Sequence, residues 1–354
     1  MSGSGARRAF LGLRVSIGQA GWQSSFPWIR FGRAHASCGR SLSAESAGME
    51  GNFVGGLRGR NLSDRAEAAG LRLLLGTLGG LPEPLSVGLA SGVSRGAMRF
   101  LERLHGLGLA NLEIAFPEKD DVWREATLRD SFDNLGRLAG ELAHFSELNT
   151  GNIRDRVGFA SPADEQRWRE GVVQGPCVVA TGHFGNWEMF AQAQGFLGHP
   201  ISLVYRRFKN PLVEAQIAAI RSRPGTRMLA KRSAARELLQ RLRGGELVAL
   251  PIDQHEPAGH GFPVPFFGRP ASTTLGPARL AQLVQAPLQV AVMARVGRTN
   301  QHEIIVQEPI APPPKRDKDP ALLIEMMTKV NASYEDCIRR YPGQWLWMHR
   351  RWRG

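Results

Sequence analysis

Short apolar runs alternate with amphipathic stretches along most of this chain. The apolar runs have the length and continuous hydrophobicity of buried strands, at 176–182, 201–205, 247–252, 288–295 and 302–307. Helical spacing of polar and apolar positions recurs before, between and after them, at 121–148, 186–195, 210–221, 233–243, 277–285 and 319–341. Strands that alternate with helices predict an α/β fold with a mixed, partly parallel central sheet flanked by helices.

A different pattern precedes this region. Residues 64–107 predict two helices that are divided at Pro82 and Pro84. Apolar side chains of the second helix recur every four residues, at Leu85, Leu89, Val93, Ala97 and Leu101. Basic side chains recur on the opposite face, at Arg95, Arg99 and Arg103. This amphipathic helix could dock in an anionic membrane interface or pack as an ordinary surface helix on a core, and the pattern leaves both open.

These patterns divide the chain into three parts. Residues 1–60, rich in Arg, Gly and Ser, predict a basic, disordered leader whose composition resembles a transit peptide. Residues 61–110 form the amphipathic, membrane-associating helices, and residues 111–354 form the α/β domain. The most hydrophobic stretch, 71–89, contains two charged residues and two prolines and is therefore a poor candidate for a spanning helix.

Charge narrows the class of partner. The formal net charge of +13 predicts a polyanionic partner, which could be nucleic acid, an anionic membrane or a phosphorylated substrate. A nucleic-acid-binding protein is disfavoured, because the chain has no zinc-finger spacing, RNA-binding sheet motif or lysine-rich tail. The 3 cysteines lie far apart and predict neither a disulfide framework nor a metal site.

Polar residues that could do chemistry follow two of the predicted strands. His183 comes after the strand at 176–182, and Asp253 with Gln254 after the strand at 247–252. His183 and Glu188 could pair if His183 lies in the loop and Glu188 in the first turn of a helix that begins at the N-cap Asn186. Glu188 would then accept a hydrogen bond from one imidazole nitrogen and leave the other as a general base. The spacing alone fits a structural histidine equally well.

Ordered sequence blocks carry a resemblance to a known family. They are Asn-Leu-Glu-Ile-Ala-Phe-Pro at 111–117, Thr-Gly-His-Phe-Gly-Asn-Trp-Glu at 181–188, Tyr-Arg-Arg-Phe-Lys-Asn-Pro at 205–211, Pro-Ile-Asp-Gln at 251–254, Phe-Phe-Gly-Arg-Pro-Ala at 266–271 and the Trp-rich ending at 344–352. In this order they resemble the late (lauroyl/myristoyl) acyltransferases of lipid A biosynthesis, within the wider glycerolipid acyltransferase group that shares a His-x4-Asp/Glu motif. The match covers roughly residues 95–353.

The resemblance implies O-acyl transfer from acyl-carrier protein or acyl-CoA to a hydroxyl of a membrane lipid, with a lipid A precursor as the expected acceptor and no other cofactor. It implies that His183 is the general base and Glu188 its orienting partner. Residues implied to bind substrate are Asn186, Arg206, Arg207, Asp253, Gln254 and Arg269. The implied location is the cytoplasmic face of the inner membrane.

Two points stay open in this interpretation. The acceptor could be another lipid, such as mannosylated phosphatidylinositol or a lysophospholipid, although Asp253-Gln254 differs from the Phe-Pro-Glu-Gly block usual in lysophospholipid acyltransferases. The aromatic and basic C-terminal end, which includes Trp345, Trp347 and Trp352, suits either a membrane interface or internal packing.

Overall fold

A computed structural model describes residues 62–173, 175–222, 226–230 and 234–353. The leader predicted at 1–60 lies outside the described residues. The helices are α1 Leu62–Gly79, α2 Glu83–Ala97, α3 Glu102–Ala115, α4 Asp121–Leu142, α5 Ile153–Arg156, α6 Pro162–Val173, α7 Trp187–Phe196, α8 Pro211–Arg221, α9 Ala234–Arg243, α10 Gly276–Val284 and α11 Pro320–Arg340.

The strands form a mostly parallel central sheet and a separate hairpin. They are β1 Val157–Phe159, β2 Cys177–Thr181, β3 Ile201–Tyr205, β4 Thr226–Ala230, β5 Leu247–Pro251, β6 Phe262–Phe266, β7 Arg269–Thr273, β8 Leu288–Arg295 and β9 His302–Val306. The sheet order is β1-β9-β8-β2-β5-β3-β4, and β6 pairs with β7. Only the β8–β9 pairing of the described sheet is antiparallel. The predicted mixed α/β fold is confirmed.

The middle of the sheet is buried on both faces. Val178 and Ala180 of β2 enter one hydrophobic cluster, whereas Cys177 and Val179 enter the other. Successive side chains of a strand point to opposite faces, so a strand covered on both sides is apolar at every position. This explains why the run at 176–182 is continuously hydrophobic and why it predicted a buried strand.

The region before α4 differs from the prediction in one respect. The second predicted helix, which was expected to reach residue 107, ends at Ala97, and α3 begins at Glu102 after a single 3-10 turn. Met98 is buried and Leu101 packs against the same core cluster. The chain turns between α2 and α3 because both of these side chains enter the core. The sequence pattern also did not predict β1, β4, α6 or the β6–β7 hairpin.

The α2 helix presents most of its large apolar side chains to the outside. Leu85, Leu89 and Val93 are 61%, 49% and 63% exposed. The face that packs on α4 contains Ser86, Val87 and Ser91, all of which are buried. The hydroxyl of Ser91 donates to Asp133, and that of Ser86 donates to the carbonyl of Gly140 at 3.3 Å.

Glycines of α4 allow this close packing. A Cβ atom at Gly136 would lie 2.6 Å from the Cα of Ser91, and one at Gly140 would lie 2.7 Å from the Cα of Val87. Two helix backbones can approach this closely only where one of them lacks side chains. Within the described residues, no helix is both long and apolar enough to span a membrane.

Candidate active site

The site lies at the carboxyl edge of the sheet, where β2 and β5 end side by side. The two strands are parallel, with Thr181 opposite Pro251. His183 and Asp253 each follow two residues after these paired positions, so the register itself brings them together. β3 pairs with β5 and ends at the same edge, where it is followed directly by Arg206 and Arg207. Polar groups of open α/β sheets gather at such an edge.

Asp253 holds His183 at two points. Its Oδ1 lies 3.0 Å from the imidazole Nδ1, and its Oδ2 accepts the backbone N–H of His183 at 2.7 Å. Oδ2 also accepts the indole N–H of Trp345 at 3.0 Å and the hydroxyl of Tyr334 at 3.3 Å. An ionised carboxylate only accepts hydrogen bonds, so the proton of a neutral His183 lies on Nδ1. The Nε2 atom keeps its lone pair and lies 3.4 Å from the side-chain nitrogen of Gln254.

Each member of this pair stabilises the charged form of the other. Burial favours the neutral form of His183, but the charge of Asp253 and the hydrogen bond to it outweigh burial and raise the pKa of the imidazole above 6.5. Burial would also favour protonation of Asp253, yet the charge of His183 and its hydrogen bonds lower the pKa of this carboxyl group well below its usual range. Asp253 is therefore ionised at neutral pH, although it is only 4% exposed.

Two glycines allow the backbone around His183 to fit. A Cβ atom at Gly182 would collide with the hydroxyl of Tyr334 and lie 2.7 Å from the carboxyl carbon of Asp253. Gly185 has a φ of 55°, and a Cβ atom there would collide with the carbonyl of Met293. The space beside both glycines is thus filled by other backbone and side-chain atoms of the protein.

Glu188 has a different partner from the one expected from spacing. It lies in the first turn of α7, as predicted, but its carboxylate forms a two-point ion pair with Arg221, the last residue of α8. The Nε atom of Arg221 lies 2.8 Å from Oε2 of Glu188. The expectation that Glu188 accepts a hydrogen bond from His183 is therefore wrong, because Asp253 occupies Nδ1 of the imidazole. The negative charge of Glu188 still contributes to the raised pKa of His183, after the larger effects of burial and Asp253.

Asn186 lies inside the protein. It is fully buried, its Oδ1 accepts the backbone N–H of Met189 at 2.9 Å as the N-cap of α7, and its Nδ2 donates to Glu141 at 2.6 Å. The predicted N-cap is confirmed. The suggestion that Asn186 binds substrate is not supported by this placement, since both polar atoms of the side chain are bonded within the protein.

The remaining predicted residues are spread over a wider surface. Gln254 lies beside His183, and Arg206 and Arg207 lie at the same sheet edge, with Arg207 exposed. Arg269 is exposed at the tip of the β6–β7 hairpin. Phe266 and Phe267 of the same hairpin are buried. Trp345 and Trp347 of the C-terminal segment are buried as well, so these four aromatic side chains serve internal packing.

Sequence reasoning missed Arg221, Tyr334 and Trp345 as neighbours of the site. They come from α8, α11 and the C-terminal segment, far along the chain from His183. The only signal that could have indicated one of them was the Trp-rich ending, which the sequence left undecided between packing and a membrane interface.

A histidine–carboxylate pair at the carboxyl edge of a mostly parallel sheet, with the histidine side chain 24% exposed, is an arrangement typical of α/β enzymes. Comparison with known proteins gives the family. The sequence model of the bacterial lipid A biosynthesis acyltransferase family matches residues 68–354, and the chain belongs to this family. It is an acyltransferase.

Individual relatives agree. The chain is 27% identical to the lipid A biosynthesis lauroyltransferase of Escherichia coli (strain K12) over 278 residues, which cover 77% of this chain and 87% of the relative. It is also 27% identical to the palmitoleoyltransferase of lipid A biosynthesis from the same organism, with 77% and 86% covered. A lipid A biosynthesis acyltransferase of Shigella flexneri is 22% identical, with 68% and 72% covered.

Proposed function

We propose that this enzyme transfers a fatty acyl chain from an acyl thioester to a hydroxyl of a lipid A precursor, with His183 as the general base. The observation that carries the proposal is the His183–Asp253 pair, which leaves Nε2 of the imidazole available at the sheet edge. The family and the names of the relatives support the acyl chain and the lipid acceptor.

The proposed reaction uses this placement. Nε2 of His183 takes the proton of the acceptor hydroxyl as its oxygen attacks the thioester carbon. Asp253 stabilises the imidazolium that forms, because the carboxylate keeps its charge next to it. The carbon–sulfur bond then breaks, and the imidazolium returns the proton to the leaving thiolate. An ester and a free thiol are the products, and no acyl-enzyme intermediate is required.

Charged residues around the base have distinct roles in this proposal. Glu188 acts as a fixed negative charge that favours the imidazolium, and Arg221 holds it in place. Arg206 and Arg207 are suited to bind phosphate groups of the acceptor or donor, since guanidinium groups match phosphate oxygens. Arg269, at its exposed position, is suited to a more distant part of the substrate or carrier.

The proposal includes a location at the cytoplasmic face of the inner membrane, with the helices of residues 61–110 as the membrane-associating part and residues 111–354 as the acyltransferase domain. The exposed apolar face of α2 supports this, together with Leu73 and Leu74 of α1, which are 72% and 50% exposed. Phe100, in the turn after α2, is 85% exposed. Exposed Arg72, Arg99 and Arg103 give these helices the charge that anionic lipid headgroups attract.

The test is a direct assay with defined substrates. Purified protein is incubated with an acyl thioester, either on acyl-carrier protein or on CoA, and with separate acceptors: a lipid A precursor, mannosylated phosphatidylinositol or a lysophospholipid. Mass spectrometry of the lipids identifies the product. We expect the product to be an acylated lipid A precursor. We also expect the acylation rate of His183→Ala to be lower by at least about a hundredfold although this variant remains folded.

The outcomes separate the parts of the proposal. Acylation of another acceptor with an untouched lipid A precursor would refute the substrate. A folded His183→Ala protein with normal turnover would refute the base. The preferred thioester distinguishes the carrier protein from CoA as the donor.

A further inference from the structure

A buried ion pair lies directly behind the loop that carries His183. Glu141 of α4 and Arg295 of β8 face each other with side chains that are 0% and 3% exposed, and the guanidinium contacts both carboxylate oxygens. His302 lies on the same carboxylate, with its Nε2 3.4 Å from Oε2. Burial would raise the pKa of Glu141, but its bonds with His302 and Arg295 and their charges lower it to about 2. Glu141 is therefore an anion at neutral pH.

Stability alone does not account for a pair of this kind. Removing two charges from water is unfavourable, and well-packed apolar side chains of similar volume stabilise a core as well or better. A buried carboxylate does, however, have a fixed position and accepts hydrogen bonds only. Such a carboxylate can therefore act by fixing the orientation of a neighbouring polar group.

That neighbour is Asn186. Its amide has a donor end and an acceptor end, and only the donor end can face the carboxylate of Glu141, which it meets at 2.6 Å. The acceptor end must then face the backbone N–H of Met189. It accepts this N–H at 2.9 Å as the N-cap of α7. Glu188 lies in this first turn, and His183 lies three residues before Asn186. The charge of Glu141 thus fixes the orientation of the cap that joins the two parts of the site.

We propose that Glu141 is a positioning residue for acyl transfer, acting through Asn186 on the segment between His183 and Glu188. This inference rests on the proposed function, since it assigns a role in the same reaction. Other bonds hold the loop as well, among them Gly185 N–H to the carbonyl of Gln344 at 2.8 Å and Asn186 N–H to the carbonyl of Met293 at 3.2 Å. Loss of Glu141 should therefore loosen the cap without unfolding the loop.

The first test is Glu141→Gln, which keeps the shape and removes the charge. The Gln side chain can present its own amide nitrogen to Asn186, so the amide orientation is no longer imposed. We expect kcat to fall about 10- to 100-fold, because small displacements of reacting groups have effects of this size. The KM for the thioester should change by less than about threefold, since Glu141 lies behind the loop and does not face substrate.

A second pair of variants tests the link to Asn186. Asn186→Asp retains a good N-cap but places a carboxylate against Glu141, so kcat should fall. The double variant Glu141→Gln with Asn186→Asp reverses the hydrogen bond, since the Gln amide can donate to the new Asp. It also keeps the net charge of the buried cluster. We expect the kcat of the double variant to be at least about tenfold higher than that of the less active single variant.

The matched control is Glu83→Gln. It breaks the ion pair of Glu83 with Arg156, which is also largely buried, at 12% and 24% exposure, and which joins α2 to α5 rather than to the loop at 183–188. Thermal unfolding measures the stability of every variant. We expect Glu83→Gln to lose stability with unchanged kcat, whereas Glu141→Gln loses both.

The inference is overturned if the kcat of folded Glu141→Gln stays within about twofold of the wild-type value. It is also overturned if the kcat of the double variant exceeds that of neither single variant. If Glu141→Gln does not fold, the comparison of Asn186→Asp with the double variant decides. All assays use the acceptor that the wild-type enzyme acylates, with His183→Ala alongside. Active His183→Ala refutes the proposed base, whereas inactive His183→Ala with unchanged Glu141 and Asn186 variants refutes only the positioning role.

Discussion

At the scale of single residues, the chemistry of the site depends on which carboxylate faces the histidine. Asp253 accepts from Nδ1 and from the backbone of His183, and Tyr334 and Trp345 complete its hydrogen bonds. Glu188 forms an ion pair with Arg221 instead. Two carboxylates thus stand near one imidazole, one as its direct partner and the other as a charge held nearby. The pH dependence of the reaction can distinguish these roles.

Asp253→Asn should change both the rate and its pH dependence. The base works as the neutral imidazole, so kcat/KM should rise with pH through the pKa of His183, which lies above 6.5 in the wild type. Removal of the Asp253 charge leaves burial to lower this pKa, so the midpoint should move to lower pH. The plateau should fall by about a hundredfold or more, since the tautomer and orientation are lost. A pH–rate profile measures both effects.

Glu188→Gln is the matched control for this prediction. Its charge contributes less than that of Asp253 to the raised pKa of His183, so the midpoint should move in the same direction by a smaller amount. If Glu188→Gln moved the midpoint more than Asp253→Asn, Glu188 would be the principal partner of the base in solution.

At the scale of elements, α2 is amphipathic in the reverse sense to a surface helix of a soluble protein. The face with Ser86, Val87 and Ser91 packs on Gly136 and Gly140 of α4, and the leucines face outward. Close packing through small residues with hydrogen-bonding serines is typical of helices that meet in a membrane. A soluble protein seldom exposes such a row of large apolar side chains unless another surface covers it.

Replacing Leu85, Leu89 and Val93 together with Ser should weaken binding to vesicles that contain anionic phospholipid by at least about tenfold, because each buried leucine or valine contributes roughly 1.5–3 kcal/mol. Turnover of detergent-dispersed substrate should stay unchanged. Vesicle flotation measures binding. Val122→Ser is the control, since Val122 is 78% exposed at the start of α4, outside the apolar face of α2. Equal flotation of the triple variant and the wild type would contradict membrane docking by α2.

At the scale of the whole molecule, the C-terminal segment connects distant parts of the fold to the site. Leu346 donates its backbone N–H to the carbonyl of His183 at 3.1 Å, and Asn111 of α3 donates to the carbonyls of Trp347 and His349 at 2.7 Å each. Phe184 and Trp345 form a β-bridge. The last residues of the chain therefore fix the geometry of a loop that begins some 160 residues earlier.

Trp345→Phe and Trp347→Phe form a matched pair of variants. Each removes one buried indole N–H: Trp345 donates to Asp253, whereas Trp347 donates to the carbonyl of Pro342 at 2.7 Å. Both should lose about 1–3 kcal/mol of stability, measured by denaturant unfolding. Only Trp345→Phe should also lower kcat, by about tenfold, because Asp253 loses one of its donors. Equal values of kcat for the two variants would argue against this connection to the site.

Much of the local structure could be read from the chain. The strands at 201–205 and 288–295 have the predicted bounds, and Asn186 begins α7 as its capping preference indicated. The short strand β1 and the β6–β7 hairpin were not predicted. A three-residue strand is too short to show a period, and the prolines of the hairpin argue against a strand unless it is known to lie outside the central sheet.

By itself, the sequence determined the fold class, the family blocks and the placement of His183 and Asp253 after strands, because these depend on local periodicity and on motifs. Only the tertiary structure decided which carboxylate faces the imidazole and which face of α2 is covered. The parallel register of β2 and β5 brings His183 next to Asp253, 70 residues away, and α8 supplies Arg221 to Glu188. Spacing within one segment cannot show these partners, since hydrogen bonds and packing are set by distance in space.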